Sequence, residues 1–255
     1  MQELEGFDRS TRRVRDLEVA VLDSRPDASP STPVFVLVHG LGVSSLYFRP
    51  FAQRLAERAR VVALDLPGFG HTDAPDRALR IPGFAHSVVD VVSQLGLEAP
   101  ILVGHSMGCQ VVVEALALEP QLARAAVLMG PVVRPQDRRP ATVVRRFLKA
   151  ASAETPASAW LSVAAFLRCG PRWFVEIFPA MTDYRIEDRI GDVSVPLVLV
   201  AGEHDALAPA GWIELLRERA GGPATSHVVP GAAHQVMVSH ADEAVRLCMT
   251  AGARP

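Results

Sequence analysis

The sequence predicts an α/β fold with a mainly parallel sheet. Three observations carry that prediction. Short valine-rich apolar runs, the mark of strands buried on both faces, recur at residues 34–38, 61–64, 101–103, 125–129 and 197–201. Segments with apolar residues at helical intervals alternate with these runs across loops of a few residues. The residues best suited to chemistry stand directly after the runs, at the carboxyl ends of strands, where open α/β sheets hold their sites.

Residues 17–23, L-E-V-A-V-L-D, alternate apolar with polar and suit an early strand with one exposed face. The proline-rich residues 24–33 form a loop. The run at 34–38 leads straight into His39-Gly40-Leu41-Gly42. Within residues 46–59, Leu46, Phe48, Phe51, Ala52, Leu55 and Ala59 fall at helical intervals, and Pro50 places the start of the regular helix near it. The run at 61–64 ends in D-L-P-G-F-G, residues 65–70, a tight turn. Residues 82–95 are helical, with a stripe of Phe84, Val88, Val91, Val92 and Leu95 and a stop at Gly96.

Residues 101–108 read I-L-V-G-H-S-M-G and precede an apolar-periodic stretch at 109–118. G-x-S-x-G between a strand and a helix is the pattern of a nucleophile elbow, a strained turn with no room for side chains at its glycines. Ser106 is the candidate nucleophile. After the run at 125–129 comes Gly130-Pro131, and then an interruption over residues 132–190. It has helical pieces at 141–151 and 157–167, no buried strand, aromatics at Trp160, Phe166, Trp173, Phe174, Phe178 and Tyr184, and ten Lys or Arg against six Asp or Glu. The expected organisation is a core of residues 1–131 and 191–255 with a helical cap, residues 132–190, inserted in it. Strand-like residues at 197–201 and 226–229 and helical ones at 211–220 and 242–250 complete the core.

At 255 residues the chain is long enough for one large domain carrying such a lobe. A net charge of −2 gives no reason to expect nucleic acid or a membrane surface as partner, and a small-molecule substrate is expected. Cys109, Cys169 and Cys248 lack metal-ligand spacing, so neither a disulfide framework nor a zinc site is expected. No run reaches the ~18 apolar residues of a membrane span, and the polar start has no signal-peptide core, which fits a cytoplasmic setting. The oligomeric state is left open.

A serine hydroxyl needs a base to take its proton and a third group to orient that base. Asp205, in A-G-E-H-D after the run at 197–201, is the acid candidate; Glu203 in the same loop ranks below it. A carboxylate after Met129 is closed off by Gly130-Pro131. His234, in V-V-P-G-A-A-H, is the base candidate, with His240 read as a surface histidine and His227 as a strand residue. The order Ser106, Asp205, His234 is nucleophile, acid, base. The oxyanion donors expected are the amides of Met107, at the elbow, and Leu41, which Gly40 and Gly42 allow to face the site. Ser44 and Leu46 are placed on the substrate side.

H-G-L-G at 39–42, D-L-P-G-F-G at 65–70, G-H-S-M-G at 104–108, G-E-H-D at 202–205 and P-G-A-A-H at 230–234, in that order, resemble the α/β-hydrolase superfamily over nearly the whole chain. The resemblance implies the α/β-hydrolase fold: an eight-stranded, mostly parallel sheet flanked by helices, with a cap inserted after the sixth strand. It implies hydrolysis of an ester or lactone of a small, largely apolar substrate through an acyl-enzyme, with no metal or organic cofactor. A serine nucleophile argues against the dehalogenase and epoxide hydrolase relatives, which use aspartate. Carbon-carbon bond hydrolysis of vinylogous diketones, a proline-type aminopeptidase, and a triad-retaining ligand receptor are the alternatives. Many relatives follow P-G-x-G with serine, where this chain has His71-Thr72.

His39 and His105 are expected to be structural hydrogen-bonding residues, Asp65 to brace its turn, and Cys109 to be core packing. The aromatics of the insert are expected partly to line the pocket and partly to hold the cap, with Trp160 and Phe174 as pocket walls. Arg138, Arg139, Arg145 and Arg146 are expected on a solvated face.

Overall fold

The computed structural model describes residues 4–25, 27–29, 32–152 and 170–252. The buried valine runs become the interior of an eight-stranded sheet: β1 Asp8–Val14, β2 Leu17–Asp23, β3 Val34–Val38, β4 Arg60–Leu64, β5 Ile101–His105, β6 Ala125–Met129, β7 Leu197–Gly202 and β8 Ala224–Val229, in the order β1-β2-β4-β3-β5-β6-β7-β8. β2 pairs antiparallel with both β1 and β4, and every other pair is parallel.

Strand alternation divides the core into two layers. Val36, Val38, Leu102, Leu128 and Leu199 face one layer, covered by α2 (Ile81–Gln94), α3 (Met107–Leu118) and α7 (Ala210–Arg219). Phe35, Leu37, Val103, Val127 and Val200 face the other, covered by α1 (Arg49–Ala56), the short α8 (Val236–Ser239) and α9 (Ala241–Gly252). Each fully buried Val or Leu contributes about 1.5–3 kcal/mol through removal from water. Pro50 does lie in the first turn of α1, after a 3-10 turn over Ser45–Phe48.

Two local expectations change. β2 is not exposed on one face, because β1 and β4 flank it and helices cover it; Val19 to Asp23 are all buried and only Glu18 is exposed. β1 itself, D-R-S-T-R-R-V, carries no apolar pattern, since it is an outer strand with mostly polar, solvent-facing side chains. It nonetheless pairs with β2 along its whole length, from Asp8 opposite Asp23 to Val14 opposite Leu17.

Between β6 and β7, where the insert is expected, lie α4 (Pro140–Ser152), α5 (Pro171–Asp183) and α6 (Ile186–Arg189). α5 and α6 are additions to the sequence reading; Pro179 inside α5 obscures its helical pattern. The helical piece expected at 157–167 lies outside the described residues. Glu114 on α3 ties α6 to the core: Arg189 Nε and the Tyr184 hydroxyl both donate to its Oε2 at 2.9 Å. Among the described residues, no helix is long and apolar enough to cross a membrane.

The Thr72 hydroxyl stitches together two neighbouring backbone segments, β2 and the end of β4. It donates to the Asp65 carbonyl at 2.7 Å and accepts the Ala20 N–H at 2.9 Å. Thr72→Val keeps the shape and strands both buried groups, so a loss of about 1–3 kcal/mol is expected in urea unfolding. An unchanged midpoint would mean that this bridge carries no stability.

Candidate functional site

Ser106 sits between β5 and α3 with φ 55° and ψ −119°, the strained geometry of a sharp strand-to-helix turn. The turn is tight because Gly108 lies against β3: a Cβ there would stand 2.1 Å from the Val38 carbonyl oxygen. The Ser106 N–H donates to the Met129 carbonyl at 3.0 Å, fixing the elbow to β6. Cys109 is buried as expected, yet it also bonds: its Sγ lies 3.2 Å from the carbonyl oxygens of both Met129 and Gly104. Burial pushes its thiol pKa well up, so it stays protonated.

The residue just after β6, Gly130, lies against the other two candidates. It has φ +59°, and a Cβ on it would lie 2.9 Å from His234 Cε1 and 3.3 Å from Asp205 Oδ2. Here a side chain, carboxylate or otherwise, has no room. His234 Nδ1 and Asp205 Oδ2 are 2.8 Å apart, with both side chains almost wholly buried. Oδ1 of Asp205 accepts the amides of Leu207 at 2.8 Å and Ala208 at 3.0 Å. Burial by itself raises the Asp205 carboxyl pKa, but the His234 imidazole and these hydrogen bonds outweigh it and hold the pKa below the usual carboxylate range. Asp205 is therefore an anion aimed at an imidazole N–H.

The competing side chains point elsewhere. Glu203 is exposed and accepts the Gly231 amide at 2.9 Å. His240 is half-buried, with Nδ1 2.9 Å from the Ser239 hydroxyl, and His227 lies half-buried on β8.

His39 joins the two loops upstream. Its Nδ1–H donates to the Gly40 carbonyl at 2.8 Å, and its Nε2 accepts the Leu66 amide at 3.0 Å. Both bonds require a neutral ring, and burial lowers its pKa accordingly. This holds the His39-to-Gly42 loop against Ser106: a Cβ on Gly40 would lie 3.0 Å from Ser106 Cβ and 3.5 Å from its Oγ. Leu41 follows in that loop, half-buried; Met107 is the first residue of α3, whose amide has no preceding helical turn to bond. Asp65 braces its turn as expected, accepting the Ser45 amide at 2.7 Å and the His71 amide at 2.8 Å.

His105 packs on the site from beneath the elbow. Its Nε2–H donates to the His234 carbonyl at 3.2 Å, and its ring lies 4.8 Å from the His234 ring and 5.4 Å from that of Tyr47. Burial, reinforced by the charge of His234, lowers its pKa to about 3. Tyr47 is the neighbour that sequence reasoning missed; only its place in the apolar stretch after the His39-to-Gly42 loop pointed to it.

Ser44 is buried, its carbonyl accepting the Tyr47 amide at 2.9 Å, and Leu46 packs half-buried on the α1 side of the sheet. Phe174 is half-buried beside Phe178, with ring centroids 6.0 Å apart, while its neighbour Trp173 lies against Gly68. Trp160 lies outside the described residues. Two of the insert's arginines are not on a solvated face. Arg138 pairs with Glu187 at 2.5 Å and Arg146 with Asp137 at 2.6 Å, because buried carboxylates on neighbouring segments draw them in. Arg139 and Arg145 are exposed, as expected.

A family model described as the alpha/beta hydrolase fold matches residues 33–173, more than half of the chain and including the elbow. The chain belongs to the α/β-hydrolase-fold family. An uncharacterised protein of Mycobacterium bovis is 31% identical over 130 residues, 48% of this chain and 38% of that protein, so the match spans well under half of that relative's length. A putative carbamate hydrolase of Agrobacterium fabrum is 28% identical over 72% of this chain and 79% of its own. The crystal structure of an enol-lactonase from Burkholderia xenovorans LB400 superposes with a TM-score of 0.79 at 19% identity, covering 96% of this chain and 100% of that one. This last likeness establishes the shared fold.

The two buried neutral histidines set an acid limit on this hydrolase fold. In the unfolded chain each takes up a proton near pH 6.5, while folded His105 does so only near about pH 3. Between these values the unfolded state binds the extra proton, so stability falls as pH falls, by about 1.4 kcal/mol per pH unit from His105 alone. His105→Gln should flatten the slope of unfolding free energy between about pH 4 and pH 6 by that amount. Denaturant titrations at stepped pH measure it, and an unaltered slope would mean that His105 titrates normally.

Proposed function

We propose that the protein is a serine hydrolase that cleaves a carboxylic ester or lactone of a small, largely apolar substrate through an acyl-enzyme. The observation that carries this reading is the buried 2.8 Å contact between His234 Nδ1 and the Asp205 carboxylate, held against Gly130 directly beside the carbonyl that anchors Ser106. With Nδ1–H committed to Asp205, the imidazole presents Nε2 as a base. Ser106 Oγ attacks the acyl carbonyl as His234 takes its proton. The imidazolium then protonates the leaving alcohol, and water, activated by the same nitrogen, releases the acid. Asp205 stays ionised throughout and steadies the imidazolium.

The amides of Met107 and Leu41 are the proposed oxyanion donors. One starts α3 without an intrahelical partner and the other lies one residue past Gly40, which packs against Ser106. The helices of residues 132–190 form the proposed cap over this site. Phe174, Ser44, Leu46 and Trp160 are its proposed substrate contacts. Arg138 and Arg146 are already paired with carboxylates, which fits an apolar substrate better than an anionic one. The likeness to a putative carbamate hydrolase and, in fold, to an enol-lactonase supports a hydrolytic reading.

Purified protein is expected to hydrolyse short-chain p-nitrophenyl esters. Ser106→Ala and His234→Ala should each lower kcat by about 10⁶, and Asp205→Asn by about 10⁴, with circular dichroism unchanged. Wild-type turnover in Ser106→Ala would rule out the serine mechanism. An undiminished rate in Asp205→Asn would transfer the acid role to another carboxylate.

A further inference from the structure

The proposed mechanism leaves one buried side chain at the site without a task. His105 is joined by its peptide bond to Ser106 and is almost inaccessible, at 3% exposure. It is also bonded to the residue proposed as base: its Nε2–H donates to the His234 carbonyl at 3.2 Å, and the two rings lie 4.8 Å apart at 48°. Tyr47, itself buried, stacks with the His105 ring at 28°. Tyr47 is carried by the 3-10 turn whose first amide, that of Ser45, is pinned to Asp65.

We propose that His105 is a positioning residue that fixes the His234 imidazole relative to Ser106. The inference rests on the Ser106, His234, Asp205 reading and extends it. The contact with Asp205 sets the tautomer and one point of the imidazole, and a single contact does not by itself fix the plane of a ring. His105 restrains that plane in two ways, by touching the ring and by holding the main chain that carries it. Because His105 and Ser106 are consecutive, the nucleophile and base share one short rigid link. Proton transfer between them demands placement within about 0.5 Å. The ring must also be neutral, since a second cation here would oppose the imidazolium formed at each turnover, and burial keeps it so.

The test compares wild-type protein with His105→Gln, His105→Leu and His105→Asn. Glutamine carries an N–H donor the same number of bonds from Cα as Nε2, asparagine carries it one bond short, and leucine fills space without a donor. Hydrolysis of p-nitrophenyl butyrate is followed together with melting temperature and the rate at which a fluorophosphonate labels Ser106. The expected result is a 10- to 100-fold loss of kcat (about that range for a lost supporting hydrogen bond) in Leu and Asn, with KM nearly unchanged. Labelling slows by the same factor, and His105→Gln stays close to wild type. Wild-type kcat in Leu or Asn, or an equal loss in all three variants, would overturn the proposal. Should His105→Leu fail to fold, the Gln and Asn pair decides. Turnover surviving in Ser106→Ala would instead reject the serine mechanism itself, so the two failures are distinct.

Discussion

The site depends on backbone segments that approach more closely than any side chain would allow. At Gly108 the start of α3 presses on the end of β3, and at Gly130 the end of β6 presses on the His234 and Asp205 side chains. A methyl group at either position meets atoms at under 3 Å, with main chain at Gly108 that cannot step aside. The sharp turn at Ser106 follows from the first approach, because the chain must reverse from strand to helix while pinned to β3. The position of His234 and Asp205 follows from the second. Strain at Ser106 persists because sheet pairing on both sides of β5 and the bond to Met129 determine it from several directions at once.

Three histidines cluster around this point and differ in what their surroundings let them do. His39 has both nitrogens engaged with main-chain groups, which requires the neutral ring, so it is a brace. His105 uses one nitrogen on the His234 carbonyl, and burial keeps it neutral. Only His234 faces a carboxylate through a ring nitrogen. Residue type alone does not separate these three; the partner at each nitrogen does. The same reasoning separates the carboxylates. Asp65 and Asp205 both accept main-chain amides, but Asp205 alone of the two has an oxygen left over for His234.

Much of this was legible in the sequence because it is local. The valine runs, the glycine pairs and the turn prolines act within a few residues, and so the interior strands and the elbow could be placed within a residue or two. β1 was not legible, since its formation depends on an edge offered by β2 and on nothing in its own polar composition. The second buried face of β2 was missed for a like reason: its apolar positions alternate in sequence, and only the flanking strands and covering helices decide that both sets are inside. Tyr47 escaped notice because its partner, His105, is 58 residues away in sequence and meets it only once the sheet has formed. The solvated reading of Arg138 and Arg146 failed because a charge run says nothing about carboxylates contributed by other segments.

The insert is held differently from the elbow. At Gly108 main chain packs on main chain, and a substitution either fits or breaks the turn. Between β6 and β7 the ion pairs Arg138 with Glu187 and Arg146 with Asp137 lie within the insert; side-chain bonds of Arg189 and Tyr184 with Glu114, and of the Gln110 amide with the carbonyls of Val132 and Met181, join it to α3, and Trp173, Ile177, Met181 and Ile186 pack into the apolar layer beneath. Ion pairs of this kind tolerate exchange of one partner set for another provided that both members change together, because the large penalty comes from leaving one charge buried alone. Two of these anchors, Glu114 and Gln110, project from α3, the helix that begins at the elbow. A third, Arg146, also reaches the carbonyl of Ala206, next to Asp205, at 3.3 Å. The insert is therefore registered on the elements that carry the nucleophile and acid candidates.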